Sequence, residues 1–320
     1  MKYYIGIDLG GTNIAAGLVD ENYNIVSRAS VPTKVPCEHE ALCDDMIKAA
    51  KTAVENADLT LDDVEWIGVG TPGTANPKTG ILEYANNLYV RDMPMRAIIK
   101  RKIGKDVYIE NDANAAAYGE AIAGAAKGKK DVLAITLGTG LGGGIIIDGK
   151  IYGGHYYAGA ELGHMGIVFG GRQCTCGRKG CIEAYASATG LINITKDYMM
   201  KDKSSKLWEL CKGDAANLNG KIPFDAMRLG DETARKAVEE YIEYLAYGVT
   251  NFINIFQPET LLIGGGICKE GELLLKPIRE YVTKYGYSKD PEHNTEIQVA
   301  SLGNDAGIIG AAFLGNQTNS

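Results

Sequence analysis

Residues Ile135 to Lys150 read ITLGTGLGGGIIIDGK, and the residues directly after their glycines decide the fold. Gly138-Thr139-Gly140-Leu141-Gly142-Gly143 contains the G-x-G-x-x-G spacing of a dinucleotide-binding turn. Such a turn needs a helix to begin inside the glycines, so that a helix N-terminus meets the pyrophosphate. Here three isoleucines come next, and then Asp148-Gly149, the dipeptide of a tight hairpin. The context is strand, glycine turn, hairpin, which excludes a nicotinamide dinucleotide. No G-x-x-x-x-G-K-[ST] occurs, which excludes a P-loop.

The same pattern opens the chain. A strand over 3–9 runs into Gly10-Gly11, and strands over 14–19 and 25–30 flank the turn residues DENYN. Glycines let backbone approach a ligand, and successive N–H groups then cradle a phosphate. In Asp8-Leu9-Gly10-Gly11-Thr12-Asn13, Thr12 adds a hydroxyl and Asp8 is placed to hold Mg²⁺, directly or through water. An ordinary hairpin approach with a surface aspartate is the plainer alternative. Two such turns closing on one polyphosphate suit a nucleotide-binding enzyme of the actin and hexokinase kind. Gly264-Gly265-Gly266, between a strand at 260–263 and a helix at 272–285, then supplies a wall for adenine and ribose.

Between these landmarks the periodicity predicts helices over 40–57, 95–103, 111–126 and 234–256, with a short closing helix over 308–314. Strands are predicted over 66–69, 107–109 and 132–137. Strands alternating with helices argue for α/β layers. At 320 residues, 45% of them hydrophobic, the chain can bury one large or two ordinary cores. A net charge of −7 without any Lys/Arg run argues against a nucleic-acid partner. The N-terminus lacks the long apolar stretch of a signal peptide, and no segment has the ~18 consecutive apolar residues of a membrane helix. A soluble, cytoplasmic protein is expected.

Seven cysteines, an odd number without an export signal, argue against disulfides. Cys37, Cys43, Cys211 and Cys268 are scattered and read as small buried hydrophobes. Cys174, Cys176 and Cys181 crowd into CTCGRKGC, where Gly177 and Gly180 allow sharp turns. With His164 they make a Cys₃His set, the donor count of a closed structural Zn²⁺ site. Three unrelated thiols on a mobile loop is the alternative. If a metal folds the loop back, Glu161, His164 and Glu183 meet on one wall, and two acids with an imidazole N–H suit sugar hydroxyls. Two solvated surface acids would be the bland reading. Asn111-Asp112 stands where a strand meets an alanine-rich helix, so one residue can cap that helix. The other can be an aspartate kept ionised by the helix N-terminus, the base of a phosphotransferase.

Taken together these residues resemble the ROK family (repressor, open reading frame, kinase) of sugar kinases, and within it the bacterial glucokinases. The resemblance runs over nearly the whole chain. It rests on Asp8-Leu-Gly-Gly-Thr12, Gly70-Thr-Pro-Gly73, Asn86-Asn87-Leu88, Glu110-Asn111-Asp112-Ala-Asn114, Gly138 to Gly143, Glu161-Leu-Gly-His164, Cys174 to Glu183, and Gly264-Gly-Gly266. It implies two ribonuclease-H-like (actin/hexokinase-type) lobes with a cleft between them. The small N-terminal lobe would be 1–112 with 305–320, and the large lobe with the zinc loop 113–304. The implied activity is ATP-dependent phosphorylation of glucose at its 6-hydroxyl, with Asp112 as base. Gly73, Asn87, Asn111, Asp112, Glu161, His164 and Glu183 would bind sugar. Asp8, Gly10, Gly11, Thr12, Asn13, Gly138, Thr139, Gly140 and Gly264 to Gly266 would bind ATP with Mg²⁺. Zinc would sit on His164, Cys174, Cys176 and Cys181, and the protein would be a homodimer.

The cysteine and histidine spacing differs from that of the fructokinase branch. Where many relatives carry Trp after Asn87-Leu88, this chain has Tyr89-Val90-Arg91. Repressor members carry a helix-turn-helix before the first strand, here expected at residue 3, so no DNA-binding role is expected. Kinases for N-acetylmannosamine, N-acetylglucosamine or allose are the nearest alternatives, and a non-catalytic sugar sensor is another.

Overall fold

The computed structural model describes residues 1–288 and 294–317. They divide into two compact units. The first comprises Met1–Val132, Gly144–Ala160 and the stretch from Ala300 onward, and the second Leu133–Gly143 with Glu161–Val299. Residues 318–320 of the expected small lobe, and 289–293 of the large one, lie outside the described residues.

The first unit opens with β1 (Tyr3–Leu9), β2 (Asn13–Asp20), β3 (Ile25–Pro32), α1 (His39–Glu55) and β4 (Val64–Thr71). A small sheet comes next, β5 (Thr74–Asn76), β6 (Ile81–Ala85) and β7 (Val90–Met93), then α2 (Met95–Ile103), β8 (Asp106–Asn111) and α3 (Asp112–Ala123). The main sheet has the order β3-β2-β1-β4-β8. β1, β2 and β3 are antiparallel neighbours, whereas β4 lies parallel to β1 and β8 parallel to β4.

The second glycine turn joins β9 (Val132–Leu137) to β10 (Leu141–Ile147), which turns into β11 (Lys150–Ile151). After the loop that carries Cys174, Cys176 and Cys181 come α4 (Glu183–Ala186), α5 (Ala188–Met199), α6 (Lys206–Leu210), α7 (Ile222–Arg228) and α8 (Glu232–Phe256). The chain closes with β12 (Thr260–Gly264), α9 (Glu272–Tyr285), β13 (Glu296–Val299) and α10 (Asp305–Ala312). The second sheet runs β11-β10-β9-β12-β13, which repeats the order of the first strand for strand. The expected α/β class and ribonuclease-H-like topology are thus both present. Each glycine turn leads into a hairpin, as the residues after it require.

Not every element was visible in the sequence. The β5-β6-β7 sheet, helices α4 to α7 and strand β13 had no predicted counterpart. All but α5 are short, and segments of three to seven residues such as TAN, VRDM and KLWEL contain too few positions for a period to show. The twelve-residue α5, with Leu191, Ile194 and Thr195 buried on one face, is long enough to show one.

One face of the first sheet is an ordinary apolar core. Ile5, Ile7 and Leu9 of β1 join Leu42, Met46, Ala50 and Val54 of α1 in one buried cluster. Those α1 positions recur at the spacing of one helix face. The other face is built differently. Gly17, Gly6 and Gly68 stand in register across β2, β1 and β4. A Cβ on Gly68 would lie 1.7 Å from the carbonyl oxygen of Ala311, and one on Gly6 would lie 1.9 Å from that of Ile308. The backbone of α10 therefore rests directly on the sheet, an approach open only to glycine. A Cβ on Gly310 would lie 1.7 Å from the carbonyl oxygen of Ala115, so α3 meets α10 equally closely.

Replacing Gly68 by Ala is expected to destabilise the first unit by about 2 kcal/mol or more, the scale of core overpacking. Urea unfolding checks this. Gly220→Ala, where the nearest heavy atom would be 3.8 Å from the new methyl, should change the midpoint little.

Candidate active site

In the first unit, the packing of α10 decides what surrounds Asp8. Asp8 is the last residue but one of β1, on the same face as Gly6, and a Cβ on Gly307 would lie 3.2 Å from its Oδ2. The turn after it is tightly closed: Gly10 N–H donates to Asn13 O at 3.0 Å, and the Thr33 hydroxyl donates to Gly10 O at 2.7 Å. Asn87 lies beside this turn, its Cβ 3.9 Å from where a Cβ on Gly11 would be. Tyr89, in the segment that departs from the family pattern, is 73% exposed and left-handed, with φ 57°.

Asn111 and Asp112 divide the helix start between them. The Asn111 side chain caps α3, accepting from Ala113 N–H at 2.9 Å and Asn114 N–H at 3.2 Å. Its amide nitrogen donates to Gly73 O at 3.2 Å, which ties in the left-handed turn at Gly73 (φ 89°). Asp112 Oδ1 accepts from Ala113 N–H at 2.8 Å. Below them is a pair that no sequence signal exposed. Buried Glu110 accepts from Asn111 N–H at 2.8 Å and from the Asn114 amide at 3.1 Å. Only the fold shows that a strand-end acid and a first-turn amide meet.

The acids are not ordinary ones. Burial, and then the charge of Asp112, push the Asp8 carboxyl up to about 6. Burial raises Asp112 as well, and the N–H groups at the start of α3 recover only part of that shift. The sequence suggested an aspartate kept low by a helix N-terminus. Enclosure outweighs the dipole here. Two neighbouring carboxyls that resist ionisation together are suited to a divalent cation, whose charge would offset both.

The second unit contains the other glycine turn. Gly138 N–H donates to Gly140 O at 3.0 Å. Gly265, with φ 102°, packs against the strand end before the turn, since a Cβ there would lie 2.2 Å from Leu137 O. Glu183, at the start of α4, is engaged on both oxygens. Oε2 accepts from Leu141 N–H at 3.0 Å, and Oε1 from the Thr175 hydroxyl at 2.9 Å. Glu161 precedes the one-turn helix Leu162–His164, with its Oε2 4.0 Å from His164 Nε2.

The four expected metal ligands come together. The donor atoms of His164, Cys174, Cys176 and Cys181 all lie within 4.8 Å of one another. Two sulfurs about 2.3 Å from a tetrahedral zinc stand roughly 3.8 Å apart, and a sulfur and an imidazole nitrogen roughly 3.5 Å. Here Cys176 and Cys181 Sγ are 3.7 Å apart, and Cys174 Sγ lies 3.6 Å from His164 Nδ1. The donor set and its spacing fit such an ion. Burial holds Cys181 up to about 12, so metal capture has to displace its proton. All seven cysteines are free thiols. Cys43, Cys211 and Cys268 are buried as expected, while Cys37 is half-buried.

The sequence profile of the ROK family matches residues 4–318. The glucokinase of Streptomyces coelicolor is 38% identical over 319 residues, 99% of this chain and 98% of the relative. The glucokinase of Thermotoga maritima is 37% identical over 311 residues, 97% of this chain and 96% of its own. Among solved structures, the ROK family glucokinase from Streptomyces griseus in complex with glucose and AMPPNP is 38% identical. It matches with a TM-score of 0.79 and covers 98% of each chain. Matches of this length take in both sheets, both glycine turns and the metal loop, and the chain belongs to the ROK family.

Proposed function

We propose that this protein is an ATP-dependent glucokinase, moving the γ-phosphate of ATP to the 6-hydroxyl of glucose. The observation that carries the proposal is similarity to glucokinases along the full chain. The chemistry of the site agrees with it. Asp112 accepts the hydroxyl proton as the sugar oxygen attacks the γ-phosphorus and the bond to ADP breaks. Gly73, Asn87, Asn111, Glu161, His164 and Glu183 recognise the sugar. Gly10 and Gly138 already give their N–H groups to the turns. Phosphate oxygens are therefore left to Gly11, Thr12, Thr139 and Gly140, with Asn13 beside the first turn and Gly264, Gly265 and Gly266 serving adenine and ribose.

Magnesium at Asp8, when bound, supplies charge that offsets the phosphates. Zinc on His164, Cys174, Cys176 and Cys181 supplies a structural cross-link. We further propose a homodimer, supported by the family resemblance alone, and a cytoplasmic location, supported by seven free thiols. Among the described residues, no helix is long and apolar enough to cross a membrane.

Asp112→Asn should lower kcat by about 10²- to 10⁴-fold while glucose still binds, as a coupled assay with calorimetry would show. Near-normal turnover would remove the base assignment. Elemental analysis should find about one zinc per chain, the number a single Cys₃His set holds. Cys176→Ser should lose that zinc and bind glucose more weakly.

Asp8 carries a third test. Its carboxyl titrates at about 6 in the fold against 3.8 when free. The fold therefore favours the protonated acid, and that stabilisation is lost as pH rises through 6. In metal-free buffer at pH 7, Asp8→Asn should be more stable than wild type by up to about 3 kcal/mol. The advantage should vanish below pH ~4, where both forms are neutral. Equal unfolding midpoints at pH 7 would show that Asp8 is not strained.

A further inference from the structure

The glycine turn at 138–143 is held from outside its own strands. Gly138 O accepts from Ala188 N–H at 2.9 Å, and Thr139 O from the Thr189 hydroxyl at 2.7 Å. Leu141 N–H is held by Glu183 Oε2 at 3.0 Å. The approach is close enough that a methyl on Gly140 would lie 2.5 Å from that oxygen. All three partners come from residues 183–189, the segment that begins two residues after the metal-site cysteine Cys181.

The other end of the same segment is tied to the metal loop. Glu183 Oε1 accepts from the hydroxyl of Thr175, which lies between Cys174 and Cys176. Ile182 N–H donates to Met165 O at 2.8 Å, next to His164. Between His164 and Glu183 the loop has no helix or strand of its own. It is held by short-range backbone contacts, with Gly166 bridging to Cys181 and Gln173 to Lys179, Ile167 and Val168 N–H donating to Gly180 O, and Gly180 N–H to Arg172 O. It turns at Gly170, Gly177 and Gly180 with positive φ. Such a stretch takes its shape from whatever cross-links it, and four metal ligands spread over 164–181 are the strongest cross-link available.

We infer that the metal loop sets the geometry of the phosphate turn through residues 183–189, so that metal occupancy controls nucleotide affinity even when no sugar is bound. Glu183 and Thr189 act in this as positioning residues: each holds a backbone atom of the turn. A metal whose only office was to shape the sugar wall would leave nucleotide binding unchanged. The inference rests on reading 138–143 as a nucleotide turn.

The test is calorimetric binding of AMPPNP with Mg²⁺ in the absence of glucose. It compares metal-loaded wild type, wild type stripped by a chelator, stripped protein given zinc again, and metal-loaded Thr189→Val. Thr189 is exposed, and the valine removes one hydroxyl without touching a metal ligand. Stripped protein and Thr189→Val should each bind about tenfold more weakly, the scale of one lost hydrogen bond in the support of the turn, and zinc should restore the stripped protein. If either binds as tightly as loaded wild type, the inference is overturned. Should stripping unfold the protein, as circular dichroism would show, metal-loaded Thr175→Val, which cuts the bond between the loop and Glu183 and leaves the four ligands, decides in its place, and unchanged AMPPNP affinity overturns the inference. If loaded wild type bound no AMPPNP, the nucleotide reading itself would fall and take this inference with it.

Discussion

The first unit depends on backbone lying against backbone. α10 meets β1, β4 and α3 at Gly6, Gly68 and Gly310, where a single methyl would overlap a carbonyl oxygen. Side chains normally keep a helix off a sheet, and at these glycines the strands have none to interpose. The consequence is chemical as well as mechanical. Asp8 shares a face with Gly6, so the same close approach that seats α10 also brings Gly307 against the carboxylate and removes much of its water. The raised acid at the end of β1 is a product of that packing.

Enclosure also shapes the start of α3 in the first unit. Asp112 keeps its hydrogen bonds from the start of α3, yet burial still raises it. A carboxylate with a raised pKa holds a proton more readily, which agrees with the proposed role of Asp112 as base. Asn111 cannot move far. Its oxygen caps α3 and its nitrogen holds Gly73, so the residues on either side of it are fixed relative to the helix axis. Glu110 and Asn114 brace this arrangement from beneath, buried and bonded to one another.

The second unit solves its local problem in another way. Where the first has a helix on a glycine floor, the stretch from His164 to Cys181 has four metal-type donors within 4.8 Å and hardly any regular structure. A metal held by such a cluster would let a glycine-rich loop keep a definite shape without a core of its own. Glu183 passes that shape on. One oxygen lies on the loop and the other on the glycine turn, so a residue expected to meet a sugar is also a structural link.

Much of this was legible in the amino-acid sequence. Three isoleucines and Asp148-Gly149 after the second glycine cluster specify a hairpin, because β-branched residues and a tight turn leave no room for a helix there. The Cys₃His set was legible for a similar reason: few residue types bind a metal, and their count and spacing limit what they can do. Local chemistry of that kind is written in the order of residues. The glycine floor under α10, the Glu110–Asn114 brace, the double engagement of Glu183 and the raised acids were not. Each joins groups through space, and burial and hydrogen-bond reach are properties of the packed chain alone. Gly6 and Gly68 are 62 positions apart in the sequence, and only strand pairing makes them neighbours.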